Sequence, residues 1–150
     1  MHKSTLFDAP GFVALPLRLP PGADLRRALE EALAANGAQA GFVLAGIGSL
    51  RPALLRLAGA AEPLRLDEDV ELLSLSGSVA VAGSHLHLSV AGPDGRVRGG
   101  HAAYGCIVRT TAEVLLARLP AWRFTREADA QTGYDELVVR PAGTGPGGGS

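Results

Sequence analysis

One segment near the start of the chain repeats its apolar residues at the spacing of an α-helix. The positions i, i+3, i+4, i+7 and i+8 of this segment are Leu25, Ala28, Leu29, Ala32 and Leu33. Asp24 precedes them and can accept a hydrogen bond from a backbone N–H of the first turn. Asn36 and Gly37 follow them, and glycine readily adopts the left-handed conformation that ends many helices. The pattern therefore predicts an amphipathic helix between Asp24 and Gly37.

Most of the remaining chain alternates apolar and polar residues or forms short apolar runs, and both patterns favour β-strands. The segments with these patterns are residues 11–19, 40–47, 50–58, 72–82, 104–109, 122–128 and 134–140. Pro16 limits the first strand to a sheet edge or an irregular position, because proline has no N–H to donate. The apolar run at 40–47 predicts a strand that is buried on both faces, and Gly77 is a candidate bulge position.

A second helix is predicted from a short capping signal late in the chain. Residues 110–113 read T-T-A-E, in which Thr110 can cap a helix and Glu113 can return a hydrogen bond to the cap. Pro120 would end this helix, whose buried side would be Val114, Leu115 and Leu119. Many strands and two helices predict an α+β fold: a mixed, largely antiparallel β-sheet with the two helices packed on it, in two layers.

Composition indicates a single domain with a sizeable hydrophobic core. The 150 residues are 47% hydrophobic, and a formal net charge of −1 gives no whole-chain attraction to nucleic acid or anionic lipid. Residues 1–140 are expected to form one domain, and the Gly/Pro-rich residues 141–150 to be disordered. The single cysteine, Cys106, excludes an intrachain disulfide and suits a reducing cytoplasm. Because no apolar segment has the length of a signal-peptide core or a membrane span, we expect a cytoplasmic protein without membrane contact.

Three of the four histidines lie in one stretch that is predicted to form a β-hairpin. His85 and His87 are two residues apart, so both side chains point to the same face of a strand. The turn signal G-P-D-G at residues 92–95 predicts a three-residue loop that is closed by a left-handed Gly95. Counting back along the two strands pairs His87 with His101 and brings three imidazoles to one face.

These histidines have two interpretations. Neutral imidazole is the usual protein ligand for zinc and similar metals, and three such ligands leave a fourth position open for water or substrate. The alternative is a set of hydrogen-bonded histidines on a sheet surface, because short motifs such as H-x-H often occur without a metal. The metal interpretation depends on the loop, since a loop one residue shorter would move His101 to the opposite face.

Six linked motifs run through most of the chain. They are P-G-A-D-L at 21–25, A-G-I-G-S-L at 45–50, L-S-L-S-G-S-V-A within 72–80, G-S-H-L-H-L at 83–88, G-R-V-R-G-G-H at 95–101 and V-R-T-T-A-E at 108–113. Together they resemble the PPC domain family, named as conserved in plants and prokaryotes, over residues 11–140. One departure is Ala102, where a larger aliphatic residue often follows the last histidine. We expect this difference to alter packing rather than ligation.

The resemblance implies an assembly and a metal. PPC proteins are homotrimers with a central sheet, and prokaryotic members can hold zinc on histidines that match His85, His87 and His101 here. The family fold is also similar to that of acetolactate decarboxylase, which uses a three-histidine zinc site. The resemblance therefore implies a homotrimer with zinc, or another divalent metal, on these three side chains.

Three classes of function are consistent with these features. The first is a trimeric zinc-binding module with a regulatory or DNA-associated role, whose partners would be DNA or DNA-bound proteins. Direct DNA contact has little support, because the chain has no R-G-R-P hook and no net positive charge. The second class, and the main alternative, is a zinc-dependent lyase or hydrolase acting on a small oxo-acid or ester. The third class is a protein-interaction scaffold.

An enzyme would also need an acid or base beside the metal. Glu113 and Arg109 are the nearest candidates in sequence, although Glu113 has a purely structural interpretation in the capping signal. The sequence therefore leaves it open whether the protein is an enzyme and which small-molecule ligand it would take.

Overall fold

The computed structural model describes residues 11–143, which form one helix and ten strands. The elements in chain order are β1 (Val13–Leu19), α1 (Leu25–Ala35), β2 (Gly41–Leu50), β3 (Ala53–Arg56), β4 (Leu64–Leu66), β5 (Val70–Val79), β6 (His85–Ala91), β7 (Val97–Ala102), β8 (Val108–Arg118), β9 (Trp122–Ala128) and β10 (Asp135–Pro141). The prediction of a disordered tail at 141–150 falls mostly on residues 144–150, which lie outside the described part. Within residues 11–143, no helix has the length and apolar character needed to cross a membrane.

The strands form one large sheet and one small one. The large sheet has eight strands in the order β1-β8-β2-β5-β6-β7-β3-β4, and β9 pairs with β10 in a separate two-stranded sheet. Every pair of neighbouring strands is antiparallel, which confirms the largely antiparallel sheet. β1, which contains Pro16, lies at a sheet edge as predicted, because an edge strand can lack one donor without breaking a ladder.

Helix α1 covers the sheet and confirms the first helix prediction. The Asp24 carboxylate accepts a hydrogen bond from the backbone N–H of Arg27 at 3.2 Å, and Asn36 forms the C-terminal cap. The apolar side is fully buried at Leu25, Leu29 and Leu33. These leucines join the main hydrophobic core beneath the sheet, and α1 packs over β5 and β8.

The second predicted helix is wrong, because its residues form strand β8. The fold therefore remains α+β, but with one helix in the part of the chain that the structure describes. Val108, Ala112, Val114 and Leu116 alternate into the core, and β8 pairs with β1 on one side and β2 on the other. Thr110 does not cap a helix, since its hydroxyl is 2.6 Å from the Ser49 hydroxyl across the sheet. Pairing on both sides outweighs a local capping preference.

Other strand predictions need smaller corrections. Strand β2 is not buried on both faces: Val43 is 5% exposed, whereas Leu44 and Ile47 are 48% and 55% exposed. The predicted strand at 50–58 is divided between the end of β2 and β3, and residues 104–107 form a turn and a bridge before β8. Gly77 pairs regularly with Leu86, and the irregularity in β5 lies between residues 72 and 74 instead.

The hairpin that joins β6 to β7 has the predicted register. The Gly92 N–H donates to the Arg96 carbonyl at 3.0 Å, and Gly95 adopts a φ of +78°. His87 consequently lies directly opposite His101. The turn signal therefore correctly predicted which histidines lie opposite each other.

Replacing Gly95 tests this register. Valine at residue 95 would hold the left-handed conformation only at a cost of at least about 1–2 kcal/mol, so Gly95→Val favours a different loop. A one-residue slip would turn His101 to the other face. We expect metal affinity to fall by at least about tenfold in a metal titration of the folded variant. Wild-type affinity in a folded Gly95→Val protein would contradict the dependence on register.

Candidate metal centre

Three imidazoles from two neighbouring strands converge on the solvent-facing side of the large sheet. The ring centroid of His87 is 4.9 Å from that of His85 and 4.7 Å from that of His101, and the third pair of centroids is 5.1 Å apart. One ligand atom from each residue lies within 4.8 Å of the other two. Among residues 11–143, this is the one cluster of three or more histidine, cysteine or acidic side chains with metal-binding spacing.

The donor geometry fits a small divalent ion such as zinc. Zn–N bonds of about 2.0–2.1 Å in a tetrahedral site require nitrogens roughly 3.3 Å apart. The Nε2 atoms of His85 and His87 are 3.1 Å apart, which is a hydrogen-bond distance and is also close to that requirement. The ligand atom of His101 lies within 4.8 Å of the other two, so a bound ion would draw the three rings closer together.

The hydrogen bonding of His101 leaves one of its nitrogens free for a ligand role. Its Nδ1 lies 3.0 Å from the backbone carbonyl oxygen of Arg56. A carbonyl oxygen only accepts, so Nδ1 carries the proton, and in the neutral ring Nε2 keeps its lone pair. Metal-binding histidines commonly make this kind of bond, which fixes the ring and its tautomer.

The electrostatic surroundings favour a neutral His85. Partial burial lowers the pKa of His85 below its usual value, and the nearby His87 and Arg126 lower it further, while Glu136 acts in the opposite direction. A neutral imidazole is the form that binds metals.

A cleft of about 690 Å³ opens beside His85 and His101. Its walls come from α1, the ends of β3, β6 and β7, and the small β9–β10 sheet, and they include Arg26, Arg56, Tyr104, Arg126 and Glu136. None of these five residues was singled out from the sequence. They are dispersed along the chain and carry no shared motif, so only the tertiary fold indicates that they are neighbours.

Two of the cleft residues have structural roles. Arg26 of α1 donates hydrogen bonds to the backbone carbonyls of Ser84 at 2.8 Å and Ala102 at 3.3 Å, so it connects the helix to both histidine strands. Tyr104 donates to the carboxylate of Glu30 at 2.9 Å. Burial and this hydrogen bond raise the pKa of Tyr104, which therefore stays protonated at neutral pH.

The structure does not bring the two catalytic candidates to the histidines. Glu113 points to the same sheet face, but β2 and β5 separate β8 from β6, a distance of roughly 14 Å at ordinary strand spacing. Arg109 forms an ion pair with Asp69 at 3.0 Å. Neither residue lines the cleft. We therefore assign neither of them a role at the histidines.

The single cysteine is a core residue rather than a ligand. Cys106 is fully buried, and its sulfur accepts from the Leu54 N–H and donates to the Leu54 carbonyl, both at 3.3 Å. Burial raises the pKa of Cys106 to about 11, so the thiol stays protonated and unreactive.

In the described part of the chain, the domain is an antiparallel sheet that is covered by one helix and carries a three-histidine cluster on its other face. Residues 9–120 match the Plants and Prokaryotes Conserved (PCC) domain. The chain therefore belongs to the PCC family, which is the PPC family that its motifs resemble. The further likeness to acetolactate decarboxylase stays a prediction.

A curated bacterial protein and several solved structures resemble the chain. It is 48% identical over 131 residues to the bifunctional protein GlmU of Synechococcus sp. (strain JA-2-3B'a(2-13)), a match that covers 87% of this chain and 21% of the relative. The chain thus spans about a fifth of the length of the curated relatives it matches.

Solved structures share the whole fold. A hypothetical protein from Salmonella enterica is 37% identical with a TM-score of 0.85, covering 90% of this chain and 98% of its own. A metal-containing protein from Archaeoglobus fulgidus is 30% identical with a TM-score of 0.73, covering 89% and 99%. A Ralstonia eutropha protein named as a candidate for DNA binding is 20% identical with a TM-score of 0.71, covering 85% and 95%, and shows the fold alone.

Proposed function

We propose that this protein is a trimeric, zinc-binding PCC-domain module of the cytoplasm with a regulatory or DNA-associated role. The observation that carries the proposal is the convergence of three imidazoles, whose ligand atoms lie within 4.8 Å of one another. The similarity to an archaeal protein that is named as metal-containing also supports it. Zinc is the preferred ion, because three neutral imidazoles with an open fourth position are a common zinc ligand set.

The proposed trimer is supported by apolar side chains on the same sheet face as the histidines. Phe42, Ile47 and Leu115 are 39%, 55% and 36% exposed, and the register places all three on the histidine side. Within a single chain Phe42 packs edge-to-face against Phe124, but the strip stays partly exposed to water, whereas a symmetric assembly would bury it. We propose that two further copies of this chain cover it.

A charge in the apolar strip should separate the subunits. We expect light scattering at micromolar concentration to give three times the chain mass of 15.4 kDa for the wild type. Ile47→Glu should lower this mass, because burying an unpaired carboxylate costs several kcal/mol. Val139→Glu is the matched control, since Val139 is also half-exposed but belongs to the separate β9–β10 sheet. A wild-type monomer would contradict the trimer.

The regulatory role is supported by where the domain occurs. The relatives named GlmU are about five times longer than the matched region, so a domain of this kind is present there as part of a larger protein. We propose that the domain acts alongside other domains or partners, with DNA association as one form of that role. The formal charge of −1 favours indirect association. The test is binding of the zinc-loaded trimer to duplex DNA. Retention at moderate salt would support direct contact with DNA, and release even at low salt would support indirect association through other proteins.

A second candidate is a zinc-dependent lyase or hydrolase acting on a small oxo-acid or ester. The cleft of about 690 Å³ beside His85 and His101 favours it, because that volume admits a small molecule next to the histidines. Bound zinc would supply Lewis-acid chemistry or an acidified water. The chain's own residues would orient the substrate and limit its access to water. Turnover that a chelator abolishes and zinc restores would support this function over the regulatory one.

A further inference from the structure

One arginine of the cleft differs from the other two because, among the described residues, its guanidinium has neither a hydrogen-bond nor an ion-pair partner. Within residues 11–143, the Arg56 guanidinium makes no hydrogen bond or ion pair, whereas Arg26 pairs with Glu30 and Arg126 donates to the Ser78 hydroxyl at 2.8 Å. The unpaired cation lines the same cleft as His85 and His101.

The sheet register places this side chain on the same face as the histidines. Arg56 pairs with His101 across β3 and β7, and His101 pairs with His87 across β7 and β6. Directly opposed residues share a face, with Cβ atoms about 4.5–5.5 Å apart, so the guanidinium and the imidazoles lie on one side of the sheet. The bond between the Arg56 carbonyl and His101 Nδ1 holds the two residues in a fixed relation.

The chemistry of the walls selects a singly charged carboxylate. A guanidinium offers a planar pair of N–H donors that matches the two oxygens of a carboxylate. Arg26 is paired with Glu30, and Asp135 and Glu136, which also line the cleft, offset the charges of Arg56 and Arg126, so the lining has no surplus positive charge for a second negative charge on the ligand. A dianion such as inorganic phosphate is therefore less favoured than a monocarboxylate.

We propose that Arg56 binds the carboxylate of a small organic monoanion in this cleft, with the remainder of the molecule beside His85 and His101. This proposal rests on the proposed metal-binding function for the chemistry of the histidine side. It narrows the ligand to a monocarboxylate and names the residue that binds it.

Calorimetric titration with pyruvate as the probe tests whether Arg56 binds a carboxylate. We expect saturable binding to the zinc-loaded protein, weakened at least about tenfold in Arg56→Gln, because a charge-assisted bidentate pair is lost. The neutral analogue pyruvamide should bind at least about tenfold more weakly than pyruvate. Arg96→Gln is the matched control, since Arg96 is 80% exposed at the hairpin turn, and it should stay within about twofold of the wild type.

Several results would overturn the proposal. These are equal pyruvate affinity in wild type and in folded, zinc-loaded Arg56→Gln, equal affinity for pyruvamide and pyruvate, and tighter binding of phosphate than of pyruvate. Zinc content measured in the same samples separates this failure from failure of the metal site. If the protein holds no zinc, Arg56-dependent pyruvate binding to the metal-free chain still supports carboxylate binding by Arg56. Absence of pyruvate binding to that chain overturns the proposal.

Discussion

His87→Ala should remove most of the metal affinity while leaving the fold intact. The ring centroid of His87 is 4.9 Å from that of His85 and 4.7 Å from that of His101, so alanine would leave only two of the three candidate ligands. Losing even an outer hydrogen-bonding partner of a metal ligand typically weakens affinity about 10–100-fold, and we expect loss of a ligand itself to cost at least about 100-fold. Zinc titration against a competing chelator, with untagged protein, measures the change.

The control for this variant is its partner residue on the neighbouring strand β5. Ser76 pairs with His87 and is also exposed, but it offers no nitrogen to a metal. We expect Ser76→Ala to keep wild-type zinc affinity. We also expect the free energy of unfolding of both variants to stay within about 1 kcal/mol of the wild-type value, because exposed side chains contribute little to stability. Unchanged zinc affinity in His87→Ala would remove this residue from the site.

Gly77→Ala should strongly destabilise the protein, because residue 77 of β5 has no room for a side chain. A Cβ at Gly77 would lie 2.0 Å from the backbone carbonyl oxygen of His85 and 2.9 Å from the Leu86 Cα, and the residue has a φ of +133°. The clash is with backbone, so it can be relieved only by separating β5 from β6. We expect a loss of roughly 3–5 kcal/mol, which lowers the thermal midpoint by about 10 °C or more.

A second glycine separates backbone strain from the clash. Gly133 has a φ of +77° in the β9–β10 loop, and a Cβ there would meet no atom within 4 Å. Gly133→Ala should therefore cost only the strain, about 1–2 kcal/mol. If both variants unfold at the same temperature, the close approach of β5 to the first residue of β6 is not what requires glycine at 77.

The histidine hairpin could be predicted from sequence because its determinants are local. Two histidines at strand spacing, a turn signal at 92–95 and Gly95 at positive φ together specify the pairing of His87 with His101. Each of these features acts within about 20 residues of the others, and a strand period of two leaves no intermediate register. The family motifs added the expectation of zinc and of a trimer.

The error at residues 108–118 has a physical cause that local sequence does not contain. T-T-A-E is a sound capping signal, but β8 is held by β1 and β2, which come from the start of the chain. Val108, Ala112, Val114 and Leu116 stand at even spacing in the sequence, which is the period of a strand with one buried face, and all four are buried in the structure.

The cleft could not be predicted for a related reason. Arg26, Arg56, Tyr104 and Arg126 come from four separate parts of the chain, and only Arg56 lies opposite a histidine in the sheet. That contact joins β3 to β7 across 45 residues of sequence, and no turn or periodicity specifies it. Non-local strand pairing of this kind depends on the whole fold.

The most direct test of the metal site is an anomalous difference map at the zinc absorption edge, from crystals of untagged, zinc-loaded protein. We expect one peak per chain between His85, His87 and His101, about 2.0–2.1 Å from one nitrogen of each ring. A map with no peak between these rings, or with its zinc bound at other residues, would contradict the proposal that the three histidines form a metal site.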